Sequence, residues 1–200
     1  FLGTRTHPEA VPYAINRAGP EITAPIPAVD EEYFEWIDVL MSALDAKDAF
    51  TAVELGAGYG RWGVRAGAAA RARGISDIRL IFAEAEPAHV AWLKRHLAMN
   101  GFDGDQSQII EAAVSDEDGE VRFYVGMPDD FDADTPRKWY GQAMAHAYEE
   151  PDEATAVEDY YGHPAIRLKS GWTAVDVRKR DIGKLIAGWG MIDLLDLDAH

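Results

Sequence analysis

The chain has 200 residues, no cysteine, 35 Asp and Glu against 19 Lys and Arg, and a net charge of −16. The missing cysteine excludes disulfides, thiol nucleophiles and zinc–thiolate sites, and so acidic a surface repels phosphate backbones, which removes nucleic acid from the expected partners. With 48% hydrophobic and 27% charged residues, the composition is that of one globular domain with a sizeable core.

No apolar run approaches the roughly 20 residues of a membrane span. Phe1-Leu2-Gly3-Thr4-Arg5 has neither a signal-peptide pattern nor a methionine. The expectation is a cytoplasmic protein, away from membranes, whose true N-terminus precedes Phe1. Residues 1–29 carry Pro8, Pro12, Gly19, Pro20, Pro25 and Pro27 and read as an extended arm, a packed connector rather than a lid. A helix is predicted from Asp30, which can cap it, with Glu31 and Glu32 at its positive end. Tyr33, Ile37, Leu40 and Leu44 share one face, with Phe34 and Trp36 beside them, and that face should cover the sheet. Arm and helix make one unit, 1–49. A second unit, 50–200, follows.

The first strand, about 50–55, runs into Val53-Glu54-Leu55-Gly56-Ala57-Gly58-Tyr59-Gly60. Alternating glycines let the backbone turn tightly and let a ligand lie against bare main chain. The helix beyond, about 61–73, would aim its free N–H groups at that ligand and stop at Gly74. Gly63 and Gly67 inside it permit close packing. A second frame, Gly58-Tyr59-Gly60-Arg61-Trp62-Gly63, spells the dinucleotide fingerprint G-x-G-x-x-G. It begins two residues after the strand has ended and puts Gly63 within the helix.

Ile78–Glu84 is apolar enough to be a buried second strand. An acid at its end, about twenty residues past the glycine turn, is where a doubly wound fold holds ribose hydroxyls. Glu84 is the first candidate. Glu86 is the second, although it can also cap the next helix, where Pro87 suits the first turn. That helix presents Val90, Leu93 and Leu97 and stops at Asn100-Gly101. A third strand is predicted over 108–114, then the acidic turn Ser115–Gly119 and an exposed strand over 120–125. Ala113, Val114 and Asp116 would face an adenine, although such a turn is more often simply solvated.

Residues 127–165 break the α/β rhythm and read as a long irregular insertion. It holds Asp129, Asp130, Asp132, Asp134, Trp139, Tyr140-Gly141-Gln142, His146, Tyr160, Tyr161 and His163. The aspartates lack the glycine and terminal Glu of a calcium loop, so no metal is expected. Strand pattern resumes over 172–177, a short helix starts at Asp181 with Ile182, Leu185 and Ile186, and 191–198 reads as a fourth strand. Asp196 and Asp198 then lie at a strand tip where open α/β sheets bind ligands. A buried Asp196 needs a partner or water.

In this order the segments resemble the FkbM family of S-adenosylmethionine-dependent methyltransferases. The resemblance is carried by the E-x-G-x-G-x-G turn, Ala83-Glu84-Ala85-Glu86-Pro87, Asn100-Gly101, Ala113-Val114-Ser115-Asp116 with Gly119 and Phe123, and Ile192-Asp193-Leu194-Leu195-Asp196-Leu197-Asp198. It implies a doubly wound, mostly parallel sheet with helices on both faces. It also implies transfer of a methyl group from S-adenosylmethionine to a hydroxyl of a sugar or specialised metabolite. Gly56, Ala57, Gly58 and Gly60 would approach the methionine part and Glu84 the ribose, while Glu54 braces the turn or meets the ammonium group through water. Asp196, Asp198 and His200 would stand on the acceptor side, with His146 a further candidate base. In this family a small residue, Glu or Gln, and then Gly usually follow the last aspartate; here Ala199 and His200 do. A seven-stranded sheet is also only partly supplied, so the unit is expected to continue beyond His200. Two other readings use the same letters: an NAD(P)-dependent oxidoreductase, and a non-catalytic nucleoside-binding or scaffold domain.

Overall fold

The computed structural model describes residues 2–7, 10, 29, 32–126, 142–144, 155–168 and 172–198. The first half alternates helix and strand: α1 (Tyr33–Asp45), β1 (Ala49–Leu55), α2 (Arg61–Ala72), β2 (Asp77–Glu84), α3 (Pro87–Asn100) and β3 (Ser107–Glu111). The second half is mostly strand: β4 (Ala113–Ser115), β5 (Gly119–Gly126), β6 (Ala143–Met144), β7 (Thr155–Tyr160), β8 (His163–Arg167) and β9 (Thr173–Asp181), then α4 (Ile182–Ala187) and β10 (Leu194–Leu197).

The fold is mixed α/β. β10, β1, β2 and β3 form a parallel sheet in that order. Because β1 connects to β2 on one side and meets β10 on the other, the strand order reverses between β1 and β10. Phe50, Ala52, Leu80 and Phe82 point to one face and pack under α1, α2 and α3. Val53, Leu55, Ile81 and Ala83 point to the other, under α4 and Trp189. Side chains alternate along a strand, so these two near-continuous apolar runs serve two helical layers at once.

α1 buries a different face from the one its spacing predicted. Val39 and Ala43 are buried, and Trp36 and Leu40 pack beside them. Ile37 and Leu44 are exposed, together with Phe34 and Met41. Outside the polar arc of Glu35, Asp38, Ser42 and Asp45 the helix is apolar over a wide span, so periodicity alone does not choose its buried stripe. Its first turn is fixed through Glu32, whose carboxylate pairs with Arg61 rather than capping the helix.

The predicted third strand divides at Ala112. β3 continues the parallel sheet, while β4 leaves it to run parallel to β9. Nor is β5 an exposed strand, since it lies between β6 and β9 and buries Phe123 and Val125. Among the described residues this second sheet runs β6-β5-β9-β8-β7, with β4 on β9, and its pairs are antiparallel apart from β4 with β9. The 127–165 segment is therefore not irregular throughout, because it supplies β6, β7 and most of β8. Its acidic run and His146 lie outside the described residues, as do Asp30 and His200.

Candidate functional site

A cavity of about 350 Å³ lies at the carboxyl ends of the parallel strands. This is the crevice that a reversal of strand order opens. Gly56, Ala57 and Gly58 form its floor, with Glu54 beneath them. Glu84 and His89 bound it at the end of β2, and Asp196 and Asp198 at the end of β10. Ala113 and Val114 line it where the chain leaves β3.

The glycine turn is tied down by its own amides. Gly56 and Ala57 both donate to the Ala83 carbonyl, at 2.9 and 3.0 Å, and Gly60 donates to Ala57 at 2.7 Å. Gly56, Gly58 and Gly60 have φ of 79°, 54° and 76°, a region that side-chain-bearing residues rarely enter. Gly60 does not line the cavity. It faces inward, where a Cβ would meet Leu93 and lie 3.2 Å from Phe82. There it lets the helix start close to β2.

Two of the N–H groups at the start of α2 are taken up within the chain rather than offered to a ligand. The Glu54 carboxyl accepts from Trp62 at 3.2 Å and from Gly63 at 2.7 Å. A strand residue thus caps the helix that follows it. Burial pushes the Glu54 carboxyl up to about 8, and Asp196 alongside adds to the shift. Glu54 and Asp196 are register partners across β1 and β10. Asp196 is half-buried, and its Oδ2 is fully enclosed without a hydrogen-bond partner. Burial first, then Asp198 and Glu35, push it up to about 6.

Glu84 holds the turn from the other side. One carboxylate oxygen accepts from Gly58 at 2.5 Å and the other from the Glu86 amide at 2.7 Å. Burial raises its pKa. It lines the cavity as expected, and a carboxylate with one amide on each oxygen keeps acceptor capacity for a ligand hydroxyl.

Glu86 does not line the cavity. It caps α3 through the His89 amide at 2.6 Å and accepts from the Tyr160 hydroxyl at 2.5 Å. The helix-capping alternative is the one the fold uses. Asp116 is exposed on the β4–β5 turn beside Ser115 and is not among the lining residues. His163 sits at the β7–β8 turn and is not among the lining residues.

Several lining residues carried no sequence prediction. Arg61 and Trp62 follow the turn directly, and the Arg61 guanidinium lies 5.2 Å from the Trp62 ring centre. Phe123 and Met144, register partners on β5 and β6, make a wall with Gln142 beside them. Position next to the glycine turn could have flagged Arg61 and Trp62. The wall depends on a pairing between distant segments. Among the described residues no cluster of three His, Asp or Glu could hold a metal ion, and no helix is long and apolar enough to cross a membrane.

No family model matches this chain. It is 31% identical over 125 residues to a curated protein of Jannaschia sp. (strain CCS1) named "Putative methyltransferase". The match covers 62% of this chain and 44% of that protein, so the chain spans less than half the length of this relative. Among solved structures it resembles a precorrin-6y C5,15-methyltransferase from Geobacter metallireducens GS-15 at 17% identity, with a TM-score of 0.32 over 46% of this chain and 44% of that one. So slight a structural likeness carries no argument.

Proposed function

We propose that the cavity binds S-adenosylmethionine and that the protein is an FkbM-like methyltransferase acting on a hydroxyl of a sugar or specialised small molecule. The observation that carries this reading is the acid-walled cavity at the strand-order reversal, with the Trp62 and Gly63 amides of α2 already capped by Glu54. A dinucleotide needs those amides for its pyrophosphate. The acids at the ends of β2 and β10, Glu84, Asp196 and Asp198, also disfavour phosphate and favour a cationic ligand.

The residues fit the cofactor on one further observation: Asp196 Oδ2 is enclosed at the cavity with no partner of its own. Glu84 would accept from the ribose hydroxyls, and the main chain of Gly56, Ala57 and Gly58 would lie against the amino-acid part. When bound, S-adenosylmethionine supplies an electrophilic methyl group on a sulfonium. The remaining task is to hold a hydroxyl in line and remove its proton. Asp196 is the first candidate base, because its raised pKa suits proton acceptance near neutral pH, and Asp198 is the second. His146 and His200 remain further candidates by sequence. The acceptor enters as a small molecule, and a cytoplasmic setting accords with a cysteine-free, acidic chain.

Isothermal titration with S-adenosylmethionine, S-adenosylhomocysteine and NAD(H) tests the proposal. Micromolar binding of both adenosyl ligands supports it. Binding of NAD(H) alone overturns it in favour of an oxidoreductase. Adenosyl binding with no methyl transfer to any of a panel of hydroxyl compounds would favour the non-catalytic reading.

A further inference from the structure

The residues beside the glycine turn do not include everything that holds it. His96, on α3, is buried and lies behind the turn rather than in the cavity. Its Nδ1 is 2.9 Å from the Tyr59 carbonyl, the residue between the second and third turn glycines. The rings of Tyr59 and His96 also meet edge to face, with centres 5.2 Å apart. On the far side, His96 Nε2 is 3.4 Å from the Thr6 hydroxyl. Asn100, one turn along α3, fixes the same stretch of chain. It accepts from the Arg5 amide and donates to the Arg5 carbonyl, both at 2.8 Å. It also donates to the His96 carbonyl at 2.8 Å.

We infer that Thr6 and His96 are positioning residues for the cofactor site, through which the N-terminal segment sets the conformation of the glycine turn. This rests on reading the cavity as an adenosyl site. The chemistry of the contacts fixes the direction of each bond. A carbonyl only accepts, so the proton sits on Nδ1, and Nε2 is left to accept from Thr6. The ring must stay neutral to do both. Burial holds its pKa down at about 4, so it stays neutral in the working pH range. Such supports matter because the turn's carbonyls are set by three alternating positive-φ glycines that resist little by themselves.

The described stretch 2–7 is therefore more than a packed connector. It reaches the turn in two hydrogen bonds, across 90 residues of sequence from Thr6 to His96. The expected consequence is on ligand affinity more than on folding, because Thr6 is exposed and its loss leaves no cavity.

The test compares wild type with Thr6→Val, His96→Leu and His96→Asn. Two quantities are measured: affinity for S-adenosylhomocysteine by titration, and amide exchange of residues 58–60 without ligand. His96→Leu is expected to weaken binding about tenfold and Thr6→Val about threefold. His96→Asn returns a donor towards the Tyr59 carbonyl and is expected to recover most of the loss, which a purely structural histidine would not predict. Equal affinity in wild type and Thr6→Val, or no recovery in His96→Asn, overturns the inference. Should His96→Leu fail to fold, Thr6→Val and His96→Asn decide. If wild type binds no adenosyl ligand, the proposed function fails, and exchange alone judges the inference. Faster exchange at 58–60 in Thr6→Val then supports the support role, and unchanged exchange overturns it.

Discussion

The Glu54 carboxyl accepts the Gly63 amide at 2.7 Å, so the acid before the glycine turn closes on the helix after it. The contact needs Gly63. A Cβ there would lie 3.0 Å from Glu54 Oε2 and 2.5 Å from the Phe82 ring. Strand, turn and helix are thereby clamped together under the cavity.

Glu54 and Asp196 give the fold an alkaline weakness. Each is an acid whose folded pKa is raised, so each binds its proton more tightly in the folded chain. Its stabilising contribution is complete below the ordinary value and is lost as pH rises through the folded value. The windows are 4.5 to about 8 for Glu54 and 3.8 to about 6 for Asp196. His96 acts oppositely. Its stability is lost as pH falls from 6.5 towards about 4. Above pH 6.5 the Glu54 slope stands alone among these three. The melting temperature should therefore fall between pH 6.5 and 8, and Glu54→Gln should flatten that fall while lowering stability at pH 6 by about 1–3 kcal/mol, because its amide cannot accept from both N–H groups. A melting curve as pH-dependent in the variant as in wild type would refute the assignment.

Gly63→Ala should destabilise by about 1–3 kcal/mol through overpacking against Phe82. The melting temperature should drop by about 2–12 °C. A change of less than a degree would mean that Phe82 yields freely. Gly74→Ala is a useful contrast: nothing lies within 4 Å of its Cβ, and only its φ of 88° opposes the change.

Tyr160→Phe removes the donor to Glu86 across 74 residues of sequence. Glu86 is 1% exposed, so an oxygen left without its donor should cost about 1–3 kcal/mol. Urea denaturation measures this. A neutral result would show that Glu86 finds another donor.

Glu84→Ala should lower affinity for S-adenosylhomocysteine by about 10- to 100-fold. It removes the proposed ribose acceptor and also frees the Gly58 amide. Glu84→Gln separates the two, because a Gln oxygen can still accept from Gly58. If Glu84→Gln binds as wild type does, the carboxylate charge is not what the ligand uses.

Much of the first half of the chain was legible in its sequence. Alternating glycines, Pro87 at the start of α3 and Gly101 at its end are local signals, and local geometry obeys them. α3 runs from Pro87 to Asn100, and Gly101 closes it with φ of 64°. Glu84 was legible too, since a strand end and the glycine turn are placed by the βαβ unit itself. Periodicity did not choose the buried stripe of α1, because apolar residues lie on most of its faces.

What only the tertiary structure decided concerns partners distant in sequence. A strand's period of two fixes its faces but not its neighbour. Hence the break at Ala112, the pairing of β5 with β9 and the wall from Phe123 and Met144 were hidden. A carboxylate's identity likewise does not say which amide it will meet. Glu54 turned to the helix, Glu86 to Tyr160, and His96 joined Thr6 to Tyr59, because packing brought those groups within reach and burial left them no water to bond instead.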